Sequence, residues 1–129
     1  MSIVLDTSAI LAVLFQEPGQ EVVKAALGGG SAISAANLAE AMARLVKDGM
    51  PADQAERALY ALPMTLHDLD HDLAIRTGAM FARTRAFGLS LGDRACLALA
   101  ARERLPVMTA DRVWVQAGPV VGVEVRLIR

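Results

Sequence analysis

Two short apolar runs, Ser2-Ile3-Val4-Leu5 near the start of the chain and Val107-Met108-Thr109 near its end, each give way within two residues to an aspartate, Asp6 or Asp111. Runs of this length, rich in β-branched residues, read as strands of a buried sheet rather than as helices. Longer stretches with helical periodicity lie between them. Strands alternating with helices predict an α/β fold, a three-layer α/β/α sandwich around a mainly parallel central sheet, although the pattern is silent on strand order.

Turn and capping residues set the boundaries. Asp6-Thr7-Ser8 can turn and cap a helix through Ala9 to Phe15, which Pro18-Gly19 stops. A second helix begins near Gln20 and ends at Gly28-Gly29-Gly30, ahead of the strand Ser31-Ala32-Ile33-Ser34. The three glycines lack the spacing of a dinucleotide-binding loop and read as a helix stop. From Ala36 to Lys47 the next helix carries Leu38, Met42 and Leu45 on one face and Asn37, Glu40 and Arg44 along another. Pro51 starts a helix reaching Ala61, and Met64-Thr65-Leu66 is a short strand. Asp68 and Asp70 lead into a helix containing Leu73, Ile75, Met80 and Phe81. Ser90 caps a hydrophobic helix from Leu91 to Arg104, a short turn or helix spans Arg112 to Gln116, and Val123 to Leu127 supplies the last strand.

At 129 residues, 54% hydrophobic and 21% charged, the chain is sized for one folded domain over residues 1–129 that needs no disulfide. A net charge of −1 weighs against a basic coat for nucleic acid, so phosphate would have to be received by local arginines or a bound cation. The single cysteine, Cys96, rules out an intramolecular disulfide and a Cys-rich zinc cage, and its helical surroundings predict an inert buried thiol. No apolar run approaches the length of a membrane span, which predicts a cytoplasmic protein with no membrane partner. Trp114 is expected to pack over the domain edge rather than to stack on RNA.

Asp6 and Asp111 follow strands, where a parallel sheet exposes ligand-binding residues, while Glu40 and Asp93 lie early in helices that can present them to the same edge. Four gathered carboxylates would repel one another, and divalent cations would offset that field through oxygen ligands. Each position also has an ordinary structural use. Asp6 can cap the first helix, Asn37 and Glu40 can form a capping box, and Glu40 has the spacing of an ion pair with Arg44. Asp93 can cap its helix and Asp111 can be a turn residue. Ser8, more than Thr7, is expected to orient water at a metal, and Thr109 to support Asp111 by a hydrogen bond. Arg94 and Arg112 each follow an acidic residue and are candidates for phosphate contact, or ordinary surface groups. The His67-Asp68-Leu69-Asp70-His71-Asp72 stretch has neither HExxH nor EF-hand spacing and reads as a helix cap with exposed polar neighbours.

Val4-Leu5-Asp6-Thr7-Ser8-Ala9, Asn37-Leu38-Ala39-Glu40, Leu89-Ser90-Leu91-Gly92-Asp93-Arg94-Ala95-Cys96-Leu97-Ala98 and Leu105-Pro106-Val107-Met108-Thr109-Ala110-Asp111-Arg112-Val113-Trp114 occur in that order along the chain. In these pieces, over essentially its whole length, the chain resembles the PIN-domain endoribonuclease toxins of the VapC family. The resemblance implies an acidic metal centre of Asp6, Glu40, Asp93 and Asp111, with Ser8, Thr109 and, more weakly, Asn37 in support. It also implies magnesium or manganese, hydrolysis of RNA to a 5′-phosphate and a 3′-hydroxyl, a cognate antitoxin and a homodimer. The competing readings are a DNA-directed or structure-selective nuclease using the same chemistry, and a noncatalytic interaction domain. A haloacid-dehalogenase-like phosphatase fits less well, because Asp6-Thr7-Ser8 lacks the second aspartate of that family's DxD segment.

Overall fold

The computed structural model describes residues 2–129 and places five strands in one sheet. They are β1 (Ile3–Leu5), β2 (Ser31–Ser34), β3 (Met64–His67), β4 (Val107–Thr109) and β5 (Val125–Leu127), in the order β3-β2-β1-β4-β5. Every pairing is parallel, with Ile3 opposite Ser31, Val4 opposite Val107, Ala32 opposite Thr65 and Met108 opposite Arg126.

Parallel neighbours require crossovers, and helices supply them. Helices α1 (Thr7–Leu14) and α2 (Gln20–Gly28) join β1 to β2, and α3 (Ala35–Lys47) and α4 (Ala52–Tyr60) join β2 to β3. The passage from β3 to β4 uses α5 (His71–Ala79), α6 (Phe81–Thr84), a 3₁₀ turn (Arg85–Phe87) and α7 (Leu91–Glu103), and α8 (Trp114–Val120) precedes β5.

Because strand side chains alternate between faces, the sheet has two cores. Ile3, Leu5, Ile33 and Met108 pack with Ile10, Val23, Leu27, Leu45 and Leu59 from α1 to α4. Val4, Ala32 and Val107 point the other way, toward Leu73 of α5, Leu97 and Leu99 of α7 and Trp114 of α8. The result is the expected three-layer arrangement. The chain builds outward from β1 through β2 to β3, then crosses back to lay β4 and β5 on the other side of β1. That reversal puts the topological switch point beside β1 and β4, whose carboxyl ends carry Asp6 and Asp111.

Two expectations change in detail. The single helix expected to contain Leu73, Ile75, Met80 and Phe81 is divided: α5 ends at Ala79, Met80 is buried, and Phe81 is 52% exposed, with the Arg94 guanidinium over its ring. Trp114 is fully buried rather than laid over an edge, as the first residue of a helix that runs on through Pro119. No helix among the described residues is long and apolar enough to cross a membrane.

The indole Nε1 of Trp114 has no hydrogen-bond partner, so its contribution is packing alone. Trp114→Ala should destabilise the protein by about 3–5 kcal/mol through the cavity it leaves. Trp114→Phe should cost distinctly less, because it keeps most of the ring volume and removes an unsatisfied donor. Urea unfolding followed by circular dichroism compares the two, and equal losses would contradict this account of the site.

Candidate metal centre

Asp6 directly follows β1 and occupies the N-cap position of α1, yet its side chain makes no capping bond. Its Oδ2 instead accepts from Ser8 Oγ at 2.7 Å and from Thr109 Oγ1 at 2.8 Å. Each hydroxyl is itself fixed from behind by a backbone N–H, Ala110 to Ser8 at 2.9 Å and Asp111 to Thr109 at 3.1 Å. Thr109 therefore supports the carboxylate of Asp6, on the neighbouring strand, and only the backbone of Asp111. Burial pushes the Asp6 carboxyl up to about 6, and the charge of Asp93 acts in the same direction. The Ser8 and Thr109 hydroxyls and the Thr7 backbone hold it from rising further.

Glu40 projects from α3 with Oε1 accepting from Thr7 Oγ1 at 2.7 Å and from Asn37 Nδ2 at 3.1 Å. Asn37 is fully buried. Its Nδ2 also reaches Thr7 Oγ1 at 3.1 Å and the Gly92 carbonyl at 3.2 Å, while its Oδ1 accepts from Ser34 Oγ at 2.6 Å. The cap of α3 is Ser34, whose Oγ accepts from the Asn37 N–H, so Asn37 and Glu40 form no capping box. Nor does Glu40 pair with Arg44, which is engaged by Asp48 at 3.4 Å.

Asp93 stands on the first turn of α7 in a reciprocal capping box: its Oδ2 accepts from the Ser90 N–H at 3.0 Å, and Ser90 Oγ accepts from the Asp93 N–H at 3.1 Å. Burial raises its carboxyl above the usual range, the Ser90 bonds pull it back, and the charges of Glu40 and Asp111 raise it again. Asp111 is exposed, and its Oδ1 accepts from the Val113 N–H at 3.0 Å, turning the chain toward α8.

The capping and turn uses foreseen for Asp93 and Asp111 thus coexist with a place at one edge. On each of the four carboxylates these hydrogen bonds fall on a single oxygen: Asp6 Oδ2, Glu40 Oε1, Asp93 Oδ2 and Asp111 Oδ1. An all-oxygen donor set of this kind suits a hard divalent cation such as magnesium or manganese. The carboxylates are spread, however, and no three His, Cys, Asp or Glu side chains among the described residues are gathered as a group that could hold an ion. Mutual repulsion opposes such gathering until a cation offsets it.

Cys96 is buried, and burial together with the Asp6, Asp93 and Glu40 charges drives its thiol well above its usual range, as an inert thiol requires. Arg94 is committed elsewhere: Nη1 donates to the Thr77 carbonyl at 3.2 Å and the guanidinium lies over Phe81. Arg112 is exposed beside Asp111. In the His67–Asp72 stretch, Asp70 caps α5 through the Leu73 N–H at 2.8 Å, and Asp72 pairs with Arg76 and Arg102. The sequence favours Ser8 over Thr7 and gives Gly92 no role, yet Thr7 donates to Glu40 and the Gly92 carbonyl accepts from Asn37 beside it. The only sequence signals for them are a second hydroxyl after Asp6 and a glycine within the first turn of a helix.

The family model described as PIN domain matches residues 3–118. A comparison with curated proteins gives no match. Among solved structures, the chain is similar to one in a toxin–antitoxin complex from Klebsiella pneumoniae, with 26% identity, TM-score 0.70, and coverage of 99% of this chain and 98% of that one. It shares its fold with VapBC2 from Rickettsia felis bound to a promoter DNA fragment, at 16% identity, TM-score 0.74, and 98% coverage of both chains. The same holds for DNA-bound VapBC from Salmonella typhimurium, at 19% identity, TM-score 0.71, and coverage of 100% and 99%.

Since the folded carboxyl of Asp6 lies near 6 and its ordinary value is 3.8, the folded protein keeps a proton that the unfolded chain has already released across that interval. Stability from this group is complete below about pH 4 and is lost as pH rises through about 6. Asp6→Asn should therefore stabilise the metal-free protein at pH 7, on the order of 2–3 kcal/mol relative to its effect at pH 4. Denaturant unfolding in chelator at the two pH values measures this, and a pH-independent difference would refute it.

Proposed function

This chain belongs to the PIN-domain family, and from that premise we propose that it is a magnesium- or manganese-dependent endoribonuclease, the toxin of a toxin–antitoxin pair. The observation that carries the reading is the placing of Asp6, Glu40, Asp93 and Asp111 around the carboxyl edge of the sheet, each anchored through one oxygen. Asp6, Glu40, Asp93 and Asp111 would hold the cation, which when bound polarises a phosphoryl oxygen and makes water a competent nucleophile near neutral pH.

The protein's part is to keep the oxygen donors in place. Ser8 and Thr109 fix Asp6, Thr7 and Asn37 fix Glu40, the Ser90 N–H fixes Asp93 and the Val113 N–H fixes Asp111. Anchoring through one oxygen limits the freedom each carboxylate loses when a cation and a scissile phosphate arrive. The products, a 5′-phosphate and a 3′-hydroxyl, are those the family resemblance implies. Arg112 offers a cation to a neighbouring phosphate; Arg94, held by Thr77 and Phe81, is the weaker candidate. A DNA-directed nuclease is the competing reading, because the oxygen-donor chemistry does not itself choose the sugar.

The antitoxin part of the proposal draws on the toxin–antitoxin complex among the similar structures and on a surface beside the acids. Ala35, Ala36, Ala39, Leu69 and Leu91 line a shallow, mostly apolar depression to which Glu40, Ser90 and Gly92 also belong. A partner segment seated there, with a basic residue toward Glu40, would block both cation and RNA. A homodimer belongs to the same proposal, with exposed Tyr60 and Ile75 available for a second copy to cover.

Asp93→Asn and Asp111→Asn should each lower RNA turnover at least roughly tenfold while the fold persists, since the amide keeps the shape but loses the anionic ligand. Asp68→Asn should leave turnover nearly unchanged. Cleavage ends mapped on total RNA, with single-stranded and duplex DNA in parallel, identify the substrate; circular dichroism and Mn²⁺ titration separate lost chemistry from lost folding. Near-wild-type turnover by both variants at subsaturating metal, with contaminating nuclease excluded, would sink the acidic quartet.

A further inference from the structure

Gly92 occupies the second position of α7, between the Ser90 cap and Asp93. Glycine is among the poorest helix formers, so propensity argues against it there. Backbone conformation does not call for it either, because the glycines at positive φ are Gly19, Gly30, Gly49, Gly88 and Gly122. What the position does require is room. A Cβ built on Gly92 would overlap Cδ and both carboxylate oxygens of Glu40.

The Glu40 carboxylate thus rests on the bare Cα of Gly92 and is held there from the opposite helical layer. Thr7 Oγ1 donates to Glu40 Oε1 at 2.7 Å, and Asn37 Nδ2 bridges Oε1 at 3.1 Å and the Gly92 carbonyl at 3.2 Å. We propose that Gly92 is a positioning residue: its missing side chain admits the Glu40 carboxylate to the first turn of α7, beside Asp93. A methyl group at this position would displace the end of the Glu40 side chain, the more flexible partner, and leave the helix intact. The consequence for divalent cations rests on the proposed function, whereas the contact itself does not.

A double-mutant cycle on the full chain separates the two. With Glu40 present and chelator in the buffer, Gly92→Ala should leave the unfolding midpoint unchanged or lower it. With Glu40→Ala in place, the same substitution should raise the midpoint by about 3 °C, the gain expected from a better helix former once the clash is gone. Mn²⁺ binding followed by the free-ion electron paramagnetic resonance signal should weaken at least roughly tenfold in Gly92→Ala, as for loss of a group that orients a ligand. An equal effect of Gly92→Ala in both backgrounds would overturn the proposal whatever the protein's activity. Unchanged Mn²⁺ affinity in Gly92→Ala would overturn the positioning role even if stability is coupled. Coupled stability in a chain whose wild type binds no Mn²⁺ would support the Gly92–Glu40 contact and defeat the nuclease reading instead.

Discussion

The buried amide of Asn37 bonds to Ser34 at the end of β2, Thr7 at the start of α1, Glu40 on its own helix and Gly92 at the start of α7. A buried amide left without partners costs roughly 1–3 kcal/mol for each unmet group, so this cluster can be satisfied in few arrangements of the surrounding helices. Helix α3 packs in one core and α7 in the other, on opposite faces of the sheet. Asn37 joins them where both pass the sheet's carboxyl edge. Glu40 and Asp93 come near one another because that amide fixes how α3 meets α7.

The same edge sets burial against charge. Asp6 is buried deeply enough that its carboxyl rises to about 6, even with two hydroxyls donating to it. Asp93 is raised as well, in part by Glu40 and Asp111. Burial and mutual repulsion at this edge are the costs that the proposed dication would offset, by replacing lost water and screening the charges. Structural hydrogen bonds absorb one oxygen per carboxylate, so the residues that shape the caps and turns are also those available to a ligand. Capping and ligation are compatible uses of Asp93 because a carboxylate has two oxygens to offer.

Much of this was legible in the sequence because strand ends and helix starts are marked by local chemistry. Asp6 and Asp111 announce themselves by following apolar β-branched runs, and Ser90 with Asp93 has the spacing of a cap. Strand order was not legible, since alternating burial looks the same whichever strands are neighbours. That is why Thr109 was expected to serve Asp111: its bond to Asp6 exists only because β4 lies against β1. The choice between Thr7 and Ser8 depended on the rotation of α1, which sends Ser8 to Asp6 and Thr7 to Glu40. Arg94 shows the reverse limit, since its place after Asp93 says nothing of Phe81 and Thr77, which the α5–α6 break brings to it.

The most direct measurement of the central claim is anomalous diffraction from crystals of the protein equilibrated with Mn²⁺. The account predicts a manganese peak at the carboxyl edge of the sheet, with oxygens of Asp6 and at least one of Glu40, Asp93 and Asp111 drawn in to about 2.0–2.5 Å, the range for hard divalent ions. A fully occupied peak elsewhere, such as at the His67–Asp72 stretch, with the four carboxylates unmoved, would contradict it.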